Sequence, residues 1–296
     1  MLTKIIYTIF ILPITLLPFR LLYAFSDVLY FILYKILGYR TSVVRENLRN
    51  SFPDKSKEEL KHIESEFYKH LCDIICESFK VFNIKKEEIF ERCVYKDLDL
   101  LEKYKDRNLC IVGGHYNNYE YAATTATGWV GRQVSCLFSK LSNDFFNGRI
   151  TESRSQFGLQ MIQKDFAKDF INKKHDEPFS LIFGADQSPT FSKNVIWTNF
   201  LNQETACFFG PEKYAKENDM VVIYTRITKP KRGYYVVNFE VVTENPLLEP
   251  HGEITVKHNR ILEKDIINNP QYWLWTHKRW KRDRKPEEQI MTSTFA

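Results

Sequence analysis

Residues 109–120 read LCIVGGHYNNYE. An apolar run runs into two glycines, and His115, Asn118 and Glu120 follow within a single turn of chain. Strand ends in open α/β sheets are where reacting groups collect. A histidine there, with a carboxylate five residues on across a strand-to-helix turn, suits general base chemistry. Glu120 would accept a hydrogen bond from one ring nitrogen and fix the tautomer, while the other nitrogen takes a proton from a hydroxyl. No Ser, Cys or Thr nucleophile is needed if the attacking hydroxyl belongs to the substrate. Taken alone, the same spacing equally fits a satisfied histidine at a strand end and a solvated glutamate in a first helical turn.

Other chemistries lack their motifs. The chain has no G-x-S-x-G elbow, no S-x-x-K, no P-loop, no G-x-G-x-x-G and no H-E-x-x-H, which removes the usual signals of serine hydrolases, NTPases, dinucleotide enzymes and zincins. The six cysteines form no C-x-x-C pair. Several lie in apolar runs, as free thiols in a reducing compartment do. No metal or cofactor is expected.

The elements that must position His115 are legible as a pattern. Short apolar runs at 109–112, 134–138, 159–162, 179–183, 220–227 and 235–242 alternate with helical lengths near 118–130, 142–156, 163–173 and 209–218. That alternation predicts an α/β fold, a mixed sheet with crossover helices. The last two runs, joined by KPKRG, read as an antiparallel hairpin. Residues 54–91 read as one helix opened by a Ser56/Glu59 capping box, and helix returns over 253–268.

Residues 1–38 differ in kind. They are apolar, interrupted by Pro13, Pro18 and Arg20, and carry no small-x-small cleavage site. The expectation is an N-terminal hydrophobic membrane-anchor helix, spanning once or lying in the interface with a kink at the prolines, ahead of a domain over 39–296. A buried first helix of the body is the alternative. Arg40, Arg45 and Arg49 after it suit a cytoplasmic side.

Charge agrees with that placement. His277–Lys285 carries +5 and residues 1–49 carry +4, so the rest of the chain sums to −4 under a net +5. A basic stripe for nucleic acid is not expected; two cationic ends suit an anionic membrane surface. Trp273, Trp275 and Trp280 among the basic residues of the tail fit an interface, or pack on the body.

Nearly the whole chain resembles the lipid A late acyltransferases, the secondary lauroyl/myristoyl transferases within the glycerolipid/lysophospholipid acyltransferase superfamily. Residues 115–120 (HYNNYE) are similar to their H-x4-D/E signature. So are 45–53 (RENLRNSFP), 154–158 (RSQFG), 185–187 (ADQ), 210–215 (GPEKYA) and 270–280 (PQYWLWTHKRW) to further family segments, in order. Asn117 and Asn202 stand where that family usually has glycine, and Tyr119 where it has Trp. Asn tolerates the left-handed backbone that a glycine marks.

The resemblance implies an enzyme that moves an acyl chain from an acyl carrier protein or CoA thioester onto a hydroxyl of a lipid A precursor. The inner membrane is its implied location, with the active site on the cytoplasmic face. His115 would be the base and Glu120 its partner. Asn118, Arg154, Asp186 and Gln187 would meet substrate, with backbone N–H groups after Gly114 and Arg154 as oxyanion donors. Asp186 and Gln187 would shape the pocket or order Arg154, and Arg226 is a weaker phosphate-binding candidate. Acylation of another lipid (a lysophospholipid, aminolipid or glycolipid) and a silent lipid-binding relative are the rival expectations.

Overall fold

The computed structural model describes residues 2–189, 192 and 194–292. Its centre is a seven-stranded sheet built from β1 (Cys93–Tyr95), β2 (Leu109–Gly113), β3 (Val134–Phe138), β4 (Gln160–Gln163), β5 (Ser180–Gly184), β8 (Val221–Lys231) and β9 (Tyr234–Thr243), in the order β1-β9-β8-β2-β5-β3-β4. Every pairing is parallel except β8 with β9. A separate antiparallel pair, β6 (Val195–Phe200) and β7 (Gln203–Phe208), stands beside it.

β2 lies in the middle and is apolar without alternation because both faces are covered. Cys110 and Val112 enter one core with Phe67, Leu262, Ile266 and Trp275. Leu109 and Ile111 enter the other with Leu22, Ile89, Tyr121 and Ala126. The strand therefore ends where two packed layers hold its last residues still.

The expected helix over 54–91 is two. Ser56 and Glu59 do form the capping box, opening Lys57–Lys80. The chain then tightens through Val81–Asn83, extends at Ile84 and resumes as Lys86–Arg92. The break lets Ile84 bury at 5% exposure, while Lys80 turns to the carbonyls of Thr15 and Leu17 at 3.0 and 2.8 Å.

The N-terminal segment is broken rather than one rod: Leu2–Ile6, a π-helical turn Tyr7–Ile11, Leu12–Leu16, then Phe19–Tyr30 and a π-helical end Phe31–Ile36. Among the described residues no single helix is long and apolar enough to cross a membrane; the run Phe19–Ile36 meets Thr41–Ser51 at 85°. One face of Phe19–Tyr30 is committed to the body. Leu22 is fully buried, Ser26 donates to Asp73 at 2.8 Å and Tyr23 to Glu77 at 2.7 Å. The opposite face exposes Leu21, Phe25, Val28 and Ile32 at i, i+4, i+7 and i+11.

The tail also differs from the interfacial expectation. Trp273 and Trp275 are core residues, and Arg279 is buried with its guanidinium donating to the Ala206 carbonyl at 2.7 Å. Trp280 donates to Thr205 at 2.7 Å. Trp273 packs on Phe200 of β6 and Trp280 reaches β7, elements that sequence periodicity did not reveal, while Trp275 packs on Phe52 and Trp273; Lys278, Lys281 and Lys285 stay exposed.

Candidate active site

His115 lies just past the end of β2, and its nearest carboxylate is Asp186, just past the end of β5. The imidazole Nδ1 is 2.6 Å from Asp186 Oδ1, and the His115 backbone N–H donates to Oδ2 at 2.8 Å. Trp273 Nε1 donates to the same Oδ2 at 2.8 Å. This corrects the expected His115–Glu120 pair. Asp186 is adjacent because β2 and β5 are parallel neighbours with Gly113 opposite Gly184, so the two strands deliver their next residues to one place.

The electrostatics follow from that geometry. Burial alone would raise the Asp186 carboxyl, but the facing His115 and the three hydrogen bonds outweigh it and bring it down to about 2. Burial likewise disfavours the imidazolium of His115, yet Asp186 outweighs it, so His115 sits above its ordinary value of 6.5. An ionised Asp186 can only accept, so Nδ1 carries the proton and the Nε2 lone pair points outward. Gln187 Nε2 lies 3.3 Å from it, and Tyr119 packs edge-on to the ring at 4.8 Å.

Two glycines make the approach possible. A Cβ on Gly114 would meet Leu262 Cδ2 at 2.8 Å and Asp186 Oδ2 at 3.2 Å; one on Gly184 would meet His115 Cε1 at 3.3 Å. Asn117 takes the left-handed conformation at φ 54°. Its Nδ2 donates to the Ile227 carbonyl at 2.7 Å, so an amide ties down a turn that glycine would merely permit. Asn202 at φ 62° does the same, donating to Ser51 O at 3.0 Å.

Glu120 pairs with Arg154 rather than with His115. The guanidinium is bidentate on it, with Nε to Oε2 at 2.7 Å and Nη2 to Oε1. Both residues line the same cavity as His115 and Gln187. Asn118 does not. It caps the helix Tyr119–Val130 by accepting from Tyr121 N at 2.8 Å, and its Nδ2 donates to the buried Glu77 at 2.6 Å. Three backbone donors after Gly114 are committed: His115 N to Asp186, Asn117 N to Tyr272 O, and Tyr121 N to Asn118. Side-chain donors among the cavity's lining residues include Gln187, Arg154, whose Nη1 takes no part in the Glu120 pair, and the hydroxyl of Thr225. Arg226 is neutralised by Asp265 at 2.7 Å and Glu240 at 2.8 Å, which removes it as a phosphate ligand.

The cavity holds about 520 Å³, within the range of about 300–1,000 Å³ that small-molecule sites occupy. Tyr95, Ile111, Cys136, Ile182, Ile227 and Phe239 line it from one face of the sheet. Ala122, Ala123, Ala126 and Val130 of the helix Tyr119–Val130 line the other side. The three alanines are what leaves room between helix and sheet. The result is an apolar slot with an oriented histidine at its mouth and an arginine–glutamate pair along the rim. Among the described residues no cluster of three or more His, Cys, Asp or Glu could hold a metal ion.

The α/β fold thus holds a carboxylate-paired histidine beside an apolar slot. The family model for bacterial lipid A biosynthesis acyltransferases matches residues 1–282. A lipid A biosynthesis acyltransferase of Haemophilus influenzae is 20% identical over 253 residues, covering 84% of this chain and 79% of that protein. The chain therefore belongs to the lipid A biosynthesis acyltransferase family, and it is an acyltransferase.

Proposed function

We propose that this enzyme moves a fatty acyl chain from the thioester of an acyl carrier protein or CoA onto a hydroxyl of a lipid A precursor. The observation that carries the reading is the His115–Asp186 pair at the mouth of an apolar slot. The slot accepts the acyl tail, which sets the thioester carbonyl at its mouth. His115 Nε2 takes the proton from the acceptor hydroxyl as its oxygen bonds to the carbonyl carbon. Asp186 stays ionised and stabilises the imidazolium that forms. The tetrahedral oxyanion is met by Arg154 and Gln187. The C–S bond then breaks, the thiolate takes the proton back from His115, and an ester and a free thiol leave.

The same reading places the enzyme on the cytoplasmic face of the inner membrane. The apolar face of Phe19–Tyr30, continued by Phe31, Ile36 and Leu37, supports it, because a soluble surface rarely carries so contiguous a patch. With one face held by Asp73 and Glu77, the segment would lie in the interface rather than cross it.

The test supplies purified enzyme with acyl carrier protein and CoA thioesters and a lipid A precursor, and weighs the products by mass spectrometry. The expected result is precursor carrying one further acyl group. Acylation of a lysophospholipid with none of the precursor would overturn the acceptor.

A further inference from the structure

On the side of His115 facing the helix Lys57–Lys80 is a second, small cavity of about 20 Å³, lined among others by His70, Asn117, His115, Tyr119 and Tyr272. That is room for one oxygen-sized group. Two polar atoms of its lining residues, His70 Nε2 and Asn117 Oδ1, are buried without a hydrogen-bond partner. His70 is 5% exposed and Asn117 2%. Buried polar groups are nearly always satisfied, so two orphans on residues that line one small cavity point to a common partner.

Their chemistry is determined by what each already touches. His70 Nδ1 faces the Lys229 ammonium at 3.2 Å. An ammonium can only donate, so Nδ1 accepts and Nε2 carries the hydrogen. Burial and the nearby Lys229 hold this imidazole neutral, well below its ordinary titration range. Asn117 Nδ2 is spent on the Ile227 carbonyl, which leaves Oδ1 as an acceptor. The pair thus presents one neutral donor and one neutral acceptor. A phosphate or carboxylate would be repelled by Asn117 Oδ1, an ammonium by the His70 N–H, and an alkyl group would satisfy neither. A hydroxyl, which accepts one hydrogen bond and donates another, satisfies both.

We propose that His70 and Asn117 form a hydroxyl subsite that holds the acceptor lipid beside His115, opposite the acyl slot. The proposal rests on the acyl-transfer reading of the site and deepens it: it assigns the acceptor side of the reaction to two residues outside the His115–Asp186 pair. The hydroxyl accepts from His70 Nε2 and donates to Asn117 Oδ1. No bond is made or broken there.

Steady-state kinetics on the full chain test it, varying the acceptor and the thioester separately. Asn117→Gly deletes the amide while suiting the φ of 54°. His70→Phe keeps the edge-on ring contact with Tyr272, at 4.8 Å here, and removes the donor. Each is expected to raise KM for the acceptor about tenfold and to leave KM for the thioester within about twofold, the size of one lost hydrogen bond of about 1.4 kcal/mol. The double variant should do little more than either alone, because both residues hold one oxygen. His70→Gln, which keeps an N–H, should recover part of the loss. If Asn117→Gly does not fold, His70→Phe and His70→Gln carry the comparison. An acceptor KM unchanged in folded variants, with only the unfolding temperature lowered, means the pair holds a structural water and overturns the proposal. The acceptors are a lipid A precursor and a lysophospholipid. Wild-type enzyme that acylates only the second sinks the lipid A reading, and the same comparison then runs on that lipid.

Discussion

His115 and Asp186 occupy equivalent positions on neighbouring strands. Gly113 of β2 pairs with Gly184 of β5, and each acidic or basic partner sits two residues beyond its glycine. The register of two parallel strands thus makes the His115 imidazole and the Asp186 carboxylate meet at 2.6 Å. Trp273, from the far end of the chain, closes the third side by donating to Asp186.

That pairing predicts a pH signature. A base works only when neutral, and His115 is held above 6.5 by Asp186, so if His115 is the base, acyl transfer should fall on the acid side along a limb centred above 6.5. Asp186→Asn removes the carboxylate that raises it. The limb should move to lower pH while the plateau rate drops by roughly 10²–10⁴, as the tautomer and the imidazolium both lose support. Glu120→Gln, which touches Arg154 instead, should move the limb far less. A rate-against-pH profile of the three proteins checks this. The linkage has the opposite sense for stability: with its pKa raised in the fold, His115 contributes stability that is present below about 6.5 and lost as pH rises through the folded value.

Much of this architecture is legible in the sequence, and the failures have physical causes. The apolar runs at 109–112, 134–138 and 235–242 read as strands because buried parallel or hairpin strands leave no other pattern, and they became β2, β3 and β9. The partner of His115 did not read, because strand order β8-β2-β5-β3 is set by crossovers and not by adjacency in the chain. Glu120 is close in sequence but begins a helix that turns its side chain towards Arg154. β6 and β7 were hidden by their turn. Leu201 and Asn202 both have positive φ, the two-residue hairpin geometry usually signalled by Asn-Gly, and a leucine there gives no warning. The tryptophans at 273 and 275 look interfacial because nothing local shows that Phe200 of β6 and Phe52 pack against them.

The slot is shaped by alanines, so its depth is open to substitution. Ala126→Leu fills the space between the helix Tyr119–Val130 and the sheet, and the enzyme should then favour shorter acyl chains. Each methylene excluded costs roughly 0.8 kcal/mol of burial, about fourfold in selectivity per carbon. Competition between thioesters of different length, resolved by mass spectrometry, measures the shift; an unchanged chain-length profile would place the acyl tail elsewhere.

The N-terminal segment contributes a buried face as well as an exposed one, so truncating it would strip the core of Leu22 and remove the Ser26 and Tyr23 hydrogen bonds from Asp73 and Glu77. The cleaner variant changes the outer face only. Leu21→Ser, Phe25→Ser and Phe31→Ser together should weaken binding to anionic vesicles by tenfold or more at unchanged unfolding temperature, as several buried aromatic and aliphatic groups leave the interface. Equal vesicle co-sedimentation of the two proteins would show that this face does not hold the membrane.

The central claim is that His115 is the base of acyl transfer, and purified His115→Ala tests it most directly. The side chain is a quarter exposed at the slot's mouth, so its loss should leave the fold intact. Transfer from a thioester to the lipid acceptor should fall by about a thousandfold or more. Full retention of transfer by folded His115→Ala would contradict the account.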